Sequence, residues 1–221
     1  EGSGLERISF NQSDDFDPEL LPDGRILYTR WEHFGGMNRF PLFFTNPDGT
    51  GTFHFFGPHE RNFFHAVPMP DGRIIAIEST EINGDAGPLA VLKSEQGPAD
   101  PATGSNSLHW DQLTQQVNTS GAPWAYGAFK YPRPLGGNRF VASYTLPAAT
   151  EEDADYALYT FSIQQSGAGT PAEPATFSVT NMTFLYNDPN TNEFDAQLLA
   201  PRPKPPVIPS TVNRSLDYGV F

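Results

Sequence analysis

A short turn, Pro-Asp-Gly-Arg, occurs twice, at 22–25 and 70–73, inside a longer internal match. Asp15 to Thr29 aligns with Phe63 to Ile77 without a gap, 48 residues apart. A looser third copy runs from Ala128 to Tyr144, with Gly137-Asn138-Arg139 at the turn. Such a repeat limits the fold, because each unit is one supersecondary element that hides its apolar face only against a neighbour. The turn chemistry makes each unit open on a hairpin. Pro presets φ, Asp or Asn tolerates left-handed geometry, and Gly supplies positive φ. The return strands Ile26–Trp31, Ile74–Ile77 and Phe140–Tyr144 are poorly alternating. A strand that is apolar on both faces is one covered on both faces.

Each hairpin is followed by a second strand pair. Pro41–Thr45 and Thr52–Phe56 flank Asn46-Pro-Asp-Gly49; Pro88–Leu92 precedes Ser94–Gly97; Tyr156–Phe161 and Phe177–Tyr186 flank a Gly/Pro/Ala-rich stretch from Gln164 to Pro174. Four strands per unit of about 45 to 60 residues is the arithmetic of a propeller blade. The expectation is an all-β, partial β-propeller. Its three four-stranded blades lie at about 14–57, 62–117 and 124–200, and a Pro-rich connector follows at 201–209. The alternative is a β-sandwich with coincidental turns. Among 221 residues, 20 Gly and 22 Pro suit a turn-rich fold, and 18 Phe with 8 Tyr supply a core. Three blades are too few to close a propeller. The chain is therefore expected to be a segment of a larger protein that needs further blades or a protein partner, with Asp217–Phe221 as the start of another strand.

A formal net charge of −13 repels phosphate backbones and excludes nucleic acid as a partner. Apolar runs are a few residues long, so no membrane span is expected. Absence of Cys excludes disulfides, thiolate zinc sites, iron–sulfur clusters and thioether-attached haem within the chain.

The ordered elements Asp17-Pro18, Pro22–Arg30 and Leu42–Gly49 resemble the WD-like repeats of TolB-type propellers. A closer likeness rests on Tyr28–Trp31, Asn46–Thr50, Gly87–Ala90, Tyr156–Tyr159 and the Pro201–Pro209 run, in that order. Over about Asp14 to Pro209 the chain is similar to the middle propeller region of the hydrazine synthase alpha subunit family. The resemblance implies a large exported protein, periplasmic or extracellular, with c-type haems carried outside this segment. The chain departs from the family's pattern: Glu78 to Asp85, where a paired-His signature would stand, contains no His. Haem chemistry does not carry over to these residues, and fold does not carry function with it.

No nucleophile elbow, zinc-protease helix, phosphate loop or dinucleotide fingerprint occurs, so neither catalytic nor cofactor-binding residues are assigned. His33, His54, His59, His65 and His109 read as scattered, although His65 falls opposite Asp17 in the repeat. Asp188, Asn190, Asn192 and Asp195 have the alternating oxygens of a calcium loop but lack its central Gly and terminal bidentate Glu; they are weak metal candidates beside a plain polar turn. Acidic clusters at Asp14–Glu19 and Glu151–Asp155 read as solvated loops. Sequons at Asn11, Asn118, Asn181 and Asn213 slightly exceed chance. Aromatics near loops, including Trp31, Phe34, Trp110, Trp124 and Tyr126, suit blade packing or a top-face groove. Three functions are expected, in order: a non-catalytic scaffold or protein-interaction segment, the wall of a haem-dependent redox site with haem supplied by other domains, and a carbohydrate or small-molecule binder.

Overall fold

The computed structural model describes residues 3–57, 61–79, 84–93, 96–98, 109–168, 170, 173, 175–213 and 215–216. The expectations for His59, for most of the segment between Glu78 and Asp85, and for Asp217–Phe221 lie outside these residues.

All named elements are strands. In the first sheet β1 (Asp15–Leu20), β2 (Ile26–Arg30), β5 (Leu42–Thr45) and β6 (Phe53–Phe56) lie in chain order, antiparallel throughout. The second holds β7 (Asn62–Pro68), β8 (Ile74–Ser79), β9 (Leu89–Leu92) and β10 (Trp110–Gln112). The third holds β11 (Ala128–Gly136), β12 (Arg139–Thr145), β13 (Tyr156–Ser166) and β14 (Thr176–Tyr186). A small hairpin, β3 (Glu32–Phe34) with β4 (Met37–Arg39), is inserted in the first unit. Repeat arithmetic does not require it; its turn is Gly35-Gly36. The segments around Arg25, Arg73 and Arg139 thus lie in three separate sheets, as a partial propeller requires and one continuous sandwich sheet does not. No helix among the described residues is long and apolar enough to cross a membrane.

The two Pro-Asp-Gly-Arg turns are chemically the same object. Leu21 N donates to Arg25 O at 2.8 Å, and Met69 N donates to Arg73 O at 2.7 Å. Asp23 Oδ1 and Asp71 Oδ1 accept Arg25 N and Arg73 N at 3.0 and 3.1 Å, an Asx bond that pins the return strand.

Packing explains the missing alternation in β8. Ile74 and Ala76, with Leu92 and Ala90 beside them on β9, face the first sheet and join Leu27, Leu42 and Phe56. Ile75 and Ile77, beside Val91 and Leu89, face the third sheet and join Phe129, Phe140 and Phe161. Both faces are used, so both are apolar. Phe56, Phe63 and Trp110 pack edge-on between the first two sheets, with centroids 5.5 to 6.3 Å apart. Among the described residues the third sheet packs against another named sheet on one face. Its last strand is largely exposed, with Phe184 and Tyr186 both more than half open to solvent.

Candidate functional site

The innermost strands β1, β7 and β11 share a device. Their registers shift between Phe16 and Glu19, Phe64 and Val67, and Lys130 and Arg133. In each bulge a non-glycine residue has positive φ: Asp17 at 50°, His65 at 52° and Tyr131 at 49°. Such residues are uncommon and re-aim a side chain. All three lie eight positions before the aligned arginines, so the repeat places them in one column.

The column converges. His65 is 5% exposed. Its backbone N–H donates to Asp17 Oδ2 at 3.0 Å, and its Nδ1 lies 3.0 Å from the same oxygen as a charge contact without good hydrogen-bond alignment. Its Nε2 meets Asp85 Oδ2 at 3.0 Å. The Tyr131 ring packs on the imidazole at 3.8 Å between centroids. Lys130, also buried, bridges Asp85 Oδ1 at 2.5 Å and Glu151 Oε1 at 3.2 Å. Arg133 reaches Glu19 on the first sheet and Asp195 Oδ1, the latter at 2.6 Å. A cavity of about 240 Å³ lies among Asp17, Glu19, His65, Tyr131, Arg133 and Asp195.

Electrostatics follow from this pairing. Burial opposes charge on His65, but the hydrogen bonds and charges of Asp17 and Asp85 outweigh it, and its pKa is raised. Burial likewise works against the two carboxylates. His65 overrides it for both, aided at Asp85 by Lys130, and holds them below the usual range. The Tyr131 hydroxyl is pushed up to about 12 by burial and by the charges of Asp85, Asp17 and Asp195. Chemically the site is a network of paired charges beside a small cavity, with its carboxylates partly open to solvent.

Beside it lies a larger groove of about 590 Å³. Leu20, Val67 and Pro134 form part of its floor, and the Pro-rich run from Ala200 to Pro205 its roof. The run continues to the first sheet. Pro206 O sits 2.5 Å from where a Cβ on Gly24 would be, and Thr211 N donates to Asp48 Oδ2 at 2.9 Å. The run crosses the inner-strand ends of the blades.

The calcium-loop residues do separate jobs. Asp188 Oδ1 accepts from Asn190, Asn192 Oδ1 accepts Tyr156 N at 2.7 Å, and Asp195 pairs with Arg133. No group of three or more His, Asp or Glu among the described residues is placed to hold a metal ion. His33 stacks on Trp31, His54 packs edge-on against Phe43, and Nδ1 of His109 lies 3.3 Å from Gly97 O, all away from His65. The acidic run at 14–19 is not a solvated loop: it is mostly β1, and Asp15, Asp17 and Glu19 meet Arg30, His65 and Arg133. Glu151 fits the loop reading in part, since it faces Lys130 while about half exposed.

No protein-family model matches the chain, so the TolB-type likeness gains no support. The hydrazine synthase alpha subunit of Kuenenia stuttgartiensis is 23% identical over 227 residues, covering 98% of this chain. The chain spans 24% of the length of that curated relative. Kuenenia stuttgartiensis hydrazine synthase also matches in structure, with a TM-score of 0.57 over 85% of this chain and 21% of the other, at 24% identity. That likeness is one of fold.

Proposed function

We propose that this chain is a non-catalytic β-propeller segment that works as a scaffold and protein-interaction surface in a larger assembly. The observation that carries the reading is the mutual pairing of the charges around the buried His65 and Lys130. His65 is held between Asp17 and Asp85, Lys130 between the same Asp85 and Glu151, and Arg133 between Glu19 and Asp195. A general acid or base needs an open side toward the proton it moves, and the His65 ring, 5% exposed with a carboxylate at each nitrogen, offers none. Its energy goes into fixing β1, β7 and β11 against one another, which sets the angle between blades. In an active assembly containing the chain, Lys130→Met lowers the melting temperature and leaves turnover per folded molecule unchanged. Lost turnover with normal melting overturns the reading.

The similarity to a hydrazine synthase subunit over nearly the whole chain favours a second reading, the wall of a redox site. Any thioether-attached haem would then be carried outside these residues, because that attachment needs Cys and the chain has none. The groove under the Pro-rich run is where a small molecule would sit in the third reading.

A further inference from the structure

After Tyr186 the chain repeats the inner-strand pattern a fourth time. Phe194-Asp195-Ala196-Gln197-Leu198-Leu199 matches Phe16-Asp17-Pro18-Glu19-Leu20-Leu21. Asp195 has φ 52°, beside 50°, 52° and 49° at the three bulge residues of β1, β7 and β11. The inter-sheet bonds repeat as well. Phe63 N donates to Phe40 O, Phe129 N to Gly87 O, and Glu193 N to Tyr156 O, at 3.1, 2.9 and 2.9 Å. Each donor stands two residues before its bulge residue, and each acceptor two residues before the aligned Leu42, Leu89 or Leu158. Asn62 and Asn192, each three before the bulge residue, accept the backbone N–H of Phe40 and Tyr156. Sequence, backbone dihedral, main-chain bond and side-chain cap agree, and no turn chemistry of 188–195 explains that agreement.

Beyond the fourth copy the chain takes another course. Pro201-Arg202-Pro203 replaces the Asp-Gly turn, and the chain leaves for the first sheet instead of turning back. Leu21 and Met69, at one aligned position, are 6% and 7% exposed, whereas their counterpart Leu199 is 102% exposed. We infer that residues 193–199 are the innermost strand of a fourth blade, laid on the third sheet and open along its outer edge. Its occupant is a three-stranded antiparallel sheet with an apolar face, from a further segment of a longer polypeptide. The curated relative has room for one, since the matched span is 24% of its length. Edge pairing would come from main-chain bonds, and burial of Leu199 would fix the register. This goes beyond the scaffold reading and does not depend on the charge relay.

The test uses the chain's own first blade as the probe. Leu199 is joined directly to Pro22–Gly57, and hydrogen exchange is compared with a chain ending at Leu199. The expected result is exchange at 194–199 slowed at least about tenfold, Tm raised by about 4 °C or more, and both gains lost in the same fusion carrying Leu199→Asp. Unchanged exchange at 194–199, with β8 and β12 still protected, overturns the inference. Should the fusion not fold, the 221-residue chain decides. Fast exchange at 194–199 beside a protected Glu193 amide supports the open edge. Protection of 194–199 in the monomer overturns it, and protection that grows with concentration overturns the stated occupant in favour of a second copy.

Discussion

Replacing His65 by Asn tests the relay at its centre. Asn adopts positive φ readily, so the bulge at 52° is kept and the imidazolium alone is removed. The wild-type ring makes one hydrogen bond to a carboxylate, at Asp85, and a charge contact with Asp17, and a hydrogen bond to a charged group contributes about 1.5–3 kcal/mol. The Asp17 and Asp85 side chains are 26% and 34% exposed, so water recovers part of that, and Lys130 still faces Asp85. A loss of about 2–4 kcal/mol is expected at pH 5.5. Its pH dependence is the sharper readout. The folded pKa of His65 lies above its ordinary 6.5, so its contribution is complete below 6.5 and is lost as pH rises through the folded value. Wild-type stability should fall by at most about 1.4 kcal/mol per pH unit in that window, while His65→Asn stays flat. Asp17 and Asp85 have lowered values, so their contributions are present above 3.8 and lost on acidification through the folded values. Urea unfolding followed by Trp fluorescence at pH 4.5 to 8.5 measures the imidazole limb; the carboxylate limb lies below pH 3.8, outside that range. Parallel curves for the two proteins, or equal stability at pH 5.5, would refute the reasoning.

Two other substitutions probe the frame. Gly24→Ala puts a methyl against Pro206 O at a φ of +90°, so it should cost about 1–3 kcal/mol and speed hydrogen exchange across 204–211. Ile75→Ala, at a fully buried position between the second and third sheets, should cost about 2–5 kcal/mol in urea unfolding, whereas Phe184→Ala on the open strand should change stability by less than about 0.5 kcal/mol.

The blades were legible because their two signals are local and physically independent. The Asp-Gly turn dictates a hairpin whatever surrounds it, and Ile74-Ile-Ala-Ile77 can be apolar on both sides only where both are covered. The β3–β4 hairpin was not, since an exposed insertion after Arg30 leaves no periodic apolar mark; Gly35-Gly36 announces a turn but not the strands beside it. The Pro-rich run was legible only as a connector at 201–209. Its landing at Gly24 and Asp48 depends on close backbone approach, which composition does not encode.

The site was half visible. Setting His65 opposite Asp17 was already a statement about space: in a repeat, one column in sequence is one ring around the axis. Carrying the column on to Tyr131, eight residues before Arg139, and to Asp195 after Phe194 would have assembled the cluster without coordinates. Its concealment has a physical cause: the repeat preserves the bulge and not the side chain. An acid, an imidazole, a phenol and a second acid share no motif, yet each sits at positive φ and meets the same cluster. Four equal acids there would repel one another. The repeat can place titratable groups on its axis only if successive copies carry complementary chemistry, and for this reason the column diverges in sequence while its backbone does not.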